Sequence, residues 1–304
     1  MNKLIIIFLL TFLMLGTKVF ALNLCPENSE QFFDTCICNV GFIQEGDSCV
    51  SENIELKNPI NYENKKIKID NKEIEIEIIK INLEKVDVIT DTADSKDCKN
   101  NCKAKPLKNY VDYYKADLGI NGSYFCPKDY KACSSKINSY FYPVYNSNKK
   151  VLINEKEIKW LKQGVGILAF NKYGEYITQE NAIDNKVRSI KDFETKNKFE
   201  VSSLISSEPV LISNGSNIIS KYTLDNSQKT KTLRSGIGVK NNIVYLIVAK
   251  KSNVSDLSKI FEYYKVDFAL NLDGGGSSAL YYDNKYMTGP GRDIPNAIIF
   301  KIKK

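Results

Sequence analysis

From Lys66 onward, apolar and charged residues alternate with period two, as IKID, then NK, then EIEIEIIKI. That alternation predicts a hairpin with one face buried. Lys85 to Thr90 predicts a further strand. The period then changes. Pro106 opens a stretch in which Leu107, Tyr110, Val111 and Tyr114 recur at helical spacing, and Gly119 closes it. GINGSYF (Gly119 to Phe125) reads as a strand entering a tight turn, Gly164 to Thr178 as a hairpin, and Leu204 to Gly215 as a strand followed by an Asn-Gly turn. RSGIGV and IVYLIVAK predict two strands joined by Lys240-Asn241-Asn242. Ser255 is the candidate N-cap of a helix whose apolar face is Leu257, Ile260, Phe261 and Tyr264. Strand FALNL follows, then DGGGSSAL, and GPGRDIPNAIIFKIK runs from a loop into a terminal strand. Strands dominate, with two or three helices between them. The expected class is α+β: a mixed, mainly antiparallel sheet with a few flanking helices.

The first residues follow another pattern. Lys3 precedes an apolar run from Leu4 to Leu15, and Val19-Phe20-Ala21 has the residue sizes of a signal-peptidase site. Residues 1–21 are therefore expected to be a secretory signal, because the run is shorter than the roughly 20 residues of a spanning helix. Leu24 before Cys25 argues against a lipoprotein. No second long apolar run follows, so no transmembrane anchor is expected after cleavage, and the mature chain is expected to be secreted or in the cell envelope.

Export changes the meaning of the eight cysteines, which become a disulfide framework rather than thiols, with zinc as the alternative. They fall in two groups, Cys25, Cys36, Cys38, Cys49 and then Cys98, Cys102, Cys126, Cys133, each open to three pairings. Residues 22–50 are too short to bury a core and must be held by their disulfides. Residues 51–65 are polar and read as a linker, which leaves 66–304 as the main domain. The order C-x10-C-x-C-x10-C resembles the C-terminal half of an EGF-like repeat. That resemblance implies a Cys38–Cys49 bridge and leaves Cys25 with Cys36.

The chain has no histidine. This excludes histidine-assisted nucleophiles and histidine-ligated metals, and acid–base work falls to Asp, Glu, Tyr, Lys or Cys. Of the 43 basic residues only Arg188, Arg234 and Arg292 are arginines, which marks them as candidates where a planar, bidentate donor is needed. The net charge of +7 is carried mostly by scattered lysines. No basic run interleaved with aromatics occurs, so nucleic acid is not an expected partner.

The segment Asn271-Leu272-Asp273-Gly274-Gly275-Gly276-Ser277-Ser278 stands out. An apolar strand ends in an aspartate and three glycines, whose successive N–H groups can form an anion-binding nest. Ser277 and Ser278 add hydroxyl donors, and Asp273 is a candidate catalytic carboxylate. A plain glycine turn is the alternative. Arg234 before Ser235-Gly236, and Arg292 in a Gly-Pro-Gly loop, are candidate phosphate ligands. Asn121-Gly122 and Tyr124 are candidates for a sugar hydroxyl and its ring face. Glu208, between Ser207 and Pro209, is a candidate second carboxylate.

In this order, GINGSYF, SEPVLISNG, RSGIGV, NLDGGGSSAL and GRDIPNAIIF resemble the motifs of the phosphodiester glycosidase domain, over roughly Lys65 to Lys304. The resemblance implies hydrolysis of a sugar-1-phosphodiester, with a phosphorylated glycan as partner. The expected arrangement is Arg234, Arg292, the Gly274–Gly276 amides and Ser277 on the phosphate, with Asp273 or Glu208 activating water or attacking the anomeric carbon. A carboxylate beside an anion nest must face away, pair with an arginine, or bind a divalent cation. Asp273 is thus a candidate cation ligand, and no other cofactor is expected. A carbohydrate-binding envelope protein without activity is the competing expectation.

Overall fold

The computed structural model describes residues 58–160, 164–180 and 187–304, together with Cys25, Leu56 and four short strands between 29 and 51. The expected signal at 1–21 lies outside the described residues. The chain divides into two compact units, with the boundary after Asn53.

The smaller unit contains two antiparallel hairpins, β1 (Ser29–Phe32) with β2 (Thr35–Cys38), and β3 (Phe42–Glu45) with β4 (Ser48–Ser51). Cys25–Cys36 and Cys38–Cys49 close it, the pairing that the EGF-like resemblance implied.

The larger unit begins with β5 (Ile60–Ile69), β6 (Lys72–Asn82), β7 (Val86–Thr92), α1 (Leu107–Tyr114), β8 (Leu118–Asn121), β9 (Val144–Asn146), β10 (Val151–Ile153), β11 (Gly166–Phe170) and β12 (Tyr176–Glu180). It continues with α2 (Ile190–Asn197), β13 (Ser203–Ser207), β14 (Val210–Ser213), β15 (Ser216–Asn217), α3 (Asn226–Lys229), β16 (Thr232–Lys240) and β17 (Ile243–Ser252). It ends with α4 (Val254–Tyr263), β18 (Phe268–Asn271), β19 (Leu280–Tyr282), β20 (Lys285–Thr288) and β21 (Asn296–Ile302). The fold is α+β, and all the strand pairings among the described residues are antiparallel.

Three sheets result, ordered β15-β14-β18-β16-β17-β6-β5, β20-β19-β8-β21-β7 and β10-β9-β13-β11-β12. One apolar cluster draws on all three, including Ile79, Leu246, Leu270, Ile120, Phe300, Leu168 and Ile205. Leu257, Ile260 and Phe261 of α4 are fully buried, each contributing about 1.5–3 kcal/mol of apolar burial. Gly236 and Gly238 in β16 make room for α4: a Cβ on either would stand 2.6 or 2.9 Å from the Phe261 ring.

Three expectations are corrected. Residues 60–65, read as linker, are the first half of β5. Asn61, Tyr62, Glu63, Asn64 and Lys65 are polar and at most half-buried there, so composition alone looks like a linker. Asn253, not Ser255, caps α4: its side chain accepts from the Asp256 N–H at 2.8 Å, and Asp256 accepts from the Asn253 N–H at 3.1 Å. The stretch from 204 to 215 is two strands in different sheets, β13 and β14, divided at Glu208-Pro209.

Candidate active site

The ends of β8, β13 and β18 and the start of β16 meet at one corner, where three buried asparagines tie the loops together. Asn121, closing β8, donates from Nδ2 to the Asp273 carbonyl at 2.8 Å and accepts the Ala279 N–H at 3.1 Å, gripping both ends of the glycine loop. Asn296 accepts the Ser123 N–H on Oδ1 at 2.7 Å and the Gly122 N–H on its carbonyl at 3.1 Å. Asn271 donates to the Tyr124 hydroxyl at 2.7 Å and to the Glu208 carbonyl at 3.0 Å. Any Cβ at Gly122 would overlap the Asn296 side-chain oxygen, so glycine is required there for close approach.

The triple glycine turns through Gly275 at φ +60°, a left-handed angle that glycine adopts without a Cβ penalty. Among the described residues, nothing accepts from the Gly275 and Gly276 N–H groups. An arginine stands at each end of the turn. Arg234 is 3% exposed; its Nη2 donates to the Ser227 and Thr230 carbonyls and its Nε to the Ser252 carbonyl. Its Nη1 faces the loop, 2.9 Å from where a Gly274 Cβ would be. Nη2 of Arg292 stands 2.6 Å from where a Gly276 Cβ would be, and the Arg292 N–H donates to the Gly276 carbonyl at 2.8 Å. Glycine at both positions lets two guanidiniums approach the backbone. Burial pulls the Arg234 pKa below that of a free guanidinium, countered by Tyr124, Asp273 and Asp225.

Asp273 is buried between these groups. Its Oδ1 accepts the Gly274 N–H at 2.9 Å, and its Oδ2 has no hydrogen-bond partner. Burial pushes its pKa up to about 6, against the pull of the nearby Ser277 hydroxyl, the Gly274 amide, Arg292 and Arg234. Glu208 is half-buried in the same cleft. Tyr142 faces it, its pKa raised by burial and by hydrogen bonding to the Glu208 carboxylate. Burial and the charge of Asp273 likewise raise the pKa of Tyr124. The cleft measures about 500 Å³, and its wall includes both arginines, the three glycines, Ser277, both carboxylates and a set of aromatic rings.

A model of the phosphodiester glycosidase (NAGPA) family matches residues 114–301, more than half of the chain. The chain belongs to the phosphodiester glycosidase family. No curated protein matches it. Among solved structures, the catalytic domain of zebrafish N-acetylglucosamine-1-phosphodiester α-N-acetylglucosaminidase, auto-inhibited by a pro-peptide, is 15% identical with a TM-score of 0.61, over 82% of this chain and 85% of that one. A hypothetical protein from Synechocystis is 14% identical with a TM-score of 0.60, over 81% of this chain, which spans only 62% of that protein. A Burkholderia pseudomallei protein is 9% identical with a TM-score of 0.54, over 75% of this chain and 74% of its own length. At these identities the likeness is one of fold.

The residues expected at the site from the sequence fall into two groups. Asp273, Glu208, Tyr124, Arg234, Arg292, Gly274, Gly275, Gly276 and Ser277 all line one cleft. Asn121, expected on a sugar hydroxyl, does not: it is fully buried and both ends of its amide are taken by backbone. Gly122 is packed under Asn296, and the Ser278 hydroxyl is buried away from the cleft. Arg188 is exposed at the start of α2, outside the cleft. Cys98–Cys102 and Cys126–Cys133 are disulfides, so the zinc alternative for that group falls. Among the described residues, the one cluster of three potential metal ligands is Asp94 with Cys98 and Cys102, whose sulfurs are bonded to each other. Among the described residues Asp273 belongs to no such group, and the charges of Arg292 and Arg234 act on it.

Tyr142, Asp225, Tyr130 and Phe141 in the cleft wall, and Asn271 and Asn296 as tethers, are site residues that the sequence expectations do not include. The asparagines sit inside the NLDGGG and RDIPN motifs, a signal that was available. The aromatics had none.

Proposed function

We propose that this is an exported glycoside hydrolase that cleaves a sugar-1-phosphodiester of the cell envelope or an extracellular glycan, between the anomeric carbon and the phosphate oxygen. The carrying observation is the approach of Arg234 and Arg292 to the two ends of a glycine turn whose Gly275 and Gly276 N–H groups are unspent. Such fixed donors suit a phosphate whose charge grows as the bond breaks. The C1–O bond breaks, its electron pair leaves with the phosphate, and water adds to C1, giving the free sugar and a phosphate monoester. Phosphate is a good leaving group, so the main demand is on stabilising the oxocarbenium-like centre. Asp273 answers that demand, because a buried carboxylate gains most from a cation forming beside it. Glu208, held by Tyr142, takes the proton of the attacking water. The disulfides suit the oxidising compartment that a signal peptide at 1–21 implies. The EGF-like module at 22–50 acts as a spacer or contact module.

The test is turnover of N-acetylglucosamine-1-phosphodiesters by the mature chain in ¹⁸O-labelled water. Label in the released sugar is the expected result. Label in the phosphate would mean an ordinary phosphodiesterase, and binding without turnover would mean a carbohydrate-binding protein.

A further inference from the structure

The second cysteine group lies beside the cleft. Cys126–Cys133 closes a short loop, and Pro127, Tyr130 and Cys133 from it form part of the cleft wall. The loop is anchored from behind: the Asn138 N–H donates to the Cys126 carbonyl at 2.7 Å, the Cys126 N–H to Ser139 at 3.0 Å, and the Cys102 N–H to Ile137 at 3.0 Å. It is also joined to the phosphate end of the cleft. Asp129 pairs with Nη1 of Arg292 at 3.1 Å, and the Tyr130 ring centroid lies 5.2 Å from the Arg292 guanidinium carbon. Tyr130 is nonetheless 55% exposed, and Phe141, another ring of the same cleft, is 43% exposed. These rings offer flat apolar faces in a wall that is already paired to a guanidinium. Glu208, Asp225 and Gln228, by contrast, also line a second, polar hollow of about 420 Å³ together with Lys221 and Thr223. Hydroxyl-rich sugar suits that polar side.

We propose that the Cys126–Cys133 loop is the subsite for the leaving group, the part of the substrate beyond the phosphate, and that this group carries a flat ring that stacks on Tyr130 beside Arg292. The inference rests on the phosphodiester reading above and adds the class of leaving group.

The test uses two phosphate monoesters, which mimic the leaving product and carry no sugar. Titration calorimetry compares benzyl phosphate with methyl phosphate on the mature chain, on Tyr130→Ala and on Tyr130→Phe. Expected is tighter binding of the benzyl ester by about ten-fold, the scale of one aromatic stack. That preference should vanish in Tyr130→Ala, persist in Tyr130→Phe, and leave methyl phosphate affinity within about two-fold throughout. Equal binding of the two esters, no binding of the benzyl ester, or an equal loss for both in Tyr130→Ala overturns the proposal. Turnover of a methyl diester of N-acetylglucosamine 1-phosphate tests the phosphodiester reading separately. Activity there without a benzyl preference sinks only the subsite, and a benzyl preference without activity sinks only the reaction.

Discussion

Replacing Asp273 with Asn should make the protein more stable at neutral pH while removing its activity. Burial raises this carboxyl from 3.8 to about 6. The folded state therefore holds its proton at pH values where the unfolded chain has released it, and stability falls as pH rises from about 4 to about 6. That interval corresponds to about 3 kcal/mol, at roughly 1.4 kcal/mol for each pH unit. Asn resembles the neutral acid and keeps an oxygen for the Gly274 N–H. The variant should match the parent near pH 3 and exceed it by up to about 3 kcal/mol at pH 8, a gain of several degrees in Tm for a domain of this size. Urea unfolding of both proteins between pH 3 and 8, with disulfides intact, measures the difference directly. Parallel stability curves across that range, or a less stable variant at pH 8, would refute the claim that Asp273 is held ionised at a thermodynamic cost. The same variant assayed on a sugar-1-phosphodiester should show loss of turnover with phosphate binding retained.

Other consequences follow from the same corner. Gly276→Ala would put a Cβ 2.6 Å from Arg292 Nη2; because the end of a flexible side chain can move, unfolding should shift by no more than about 1 kcal/mol, while inorganic phosphate affinity by calorimetry should fall about ten-fold or more. Gly122→Ala meets Asn296 from side chain and backbone together, neither free to move without breaking its bonds to Ser123 and Gly122, so a loss of about 2–4 kcal/mol in denaturant unfolding is expected; parent-like stability would contradict the tether. The acid limb of kcat/KM should lie near pH 6, where Asp273 ionises, and Ser277→Ala should move it to higher pH by removing a hydroxyl that favours the anion; a limb unmoved by that change would exclude Asp273 as its source.

Much of the site was legible because its residues break local rules. Three consecutive glycines after an apolar strand, and arginines in a chain otherwise built on lysine, are costly or unusual choices that require a reason. Asn121 misled for a related reason. A polar residue at a strand end looks the same in sequence whether it binds ligand or backbone, and only the carbonyl of Asp273 and the amide of Ala279 distinguish the two. The split at Glu208 was equally hidden, since β13 and β14 are both fully buried and join different sheets only through pairing.

By itself the amino-acid sequence determined the elements with strong periodicity, the α+β class and the motif set of a phosphodiester glycosidase, because period and backbone-permissive residues are local properties. Only the tertiary structure decided that Tyr130, Tyr142, Asp225 and Phe141 share a cleft with Asp273, and which cysteines of the second group bond. The shared cleft depends on pairings between residues far apart in the chain, such as Asn271 with Gly236 and Ile120 with Ile298, and no local pattern encodes which distant strand a given strand will meet; the two bridges are short-range, but four cysteines in one group leave the pairing open until the backbone is placed.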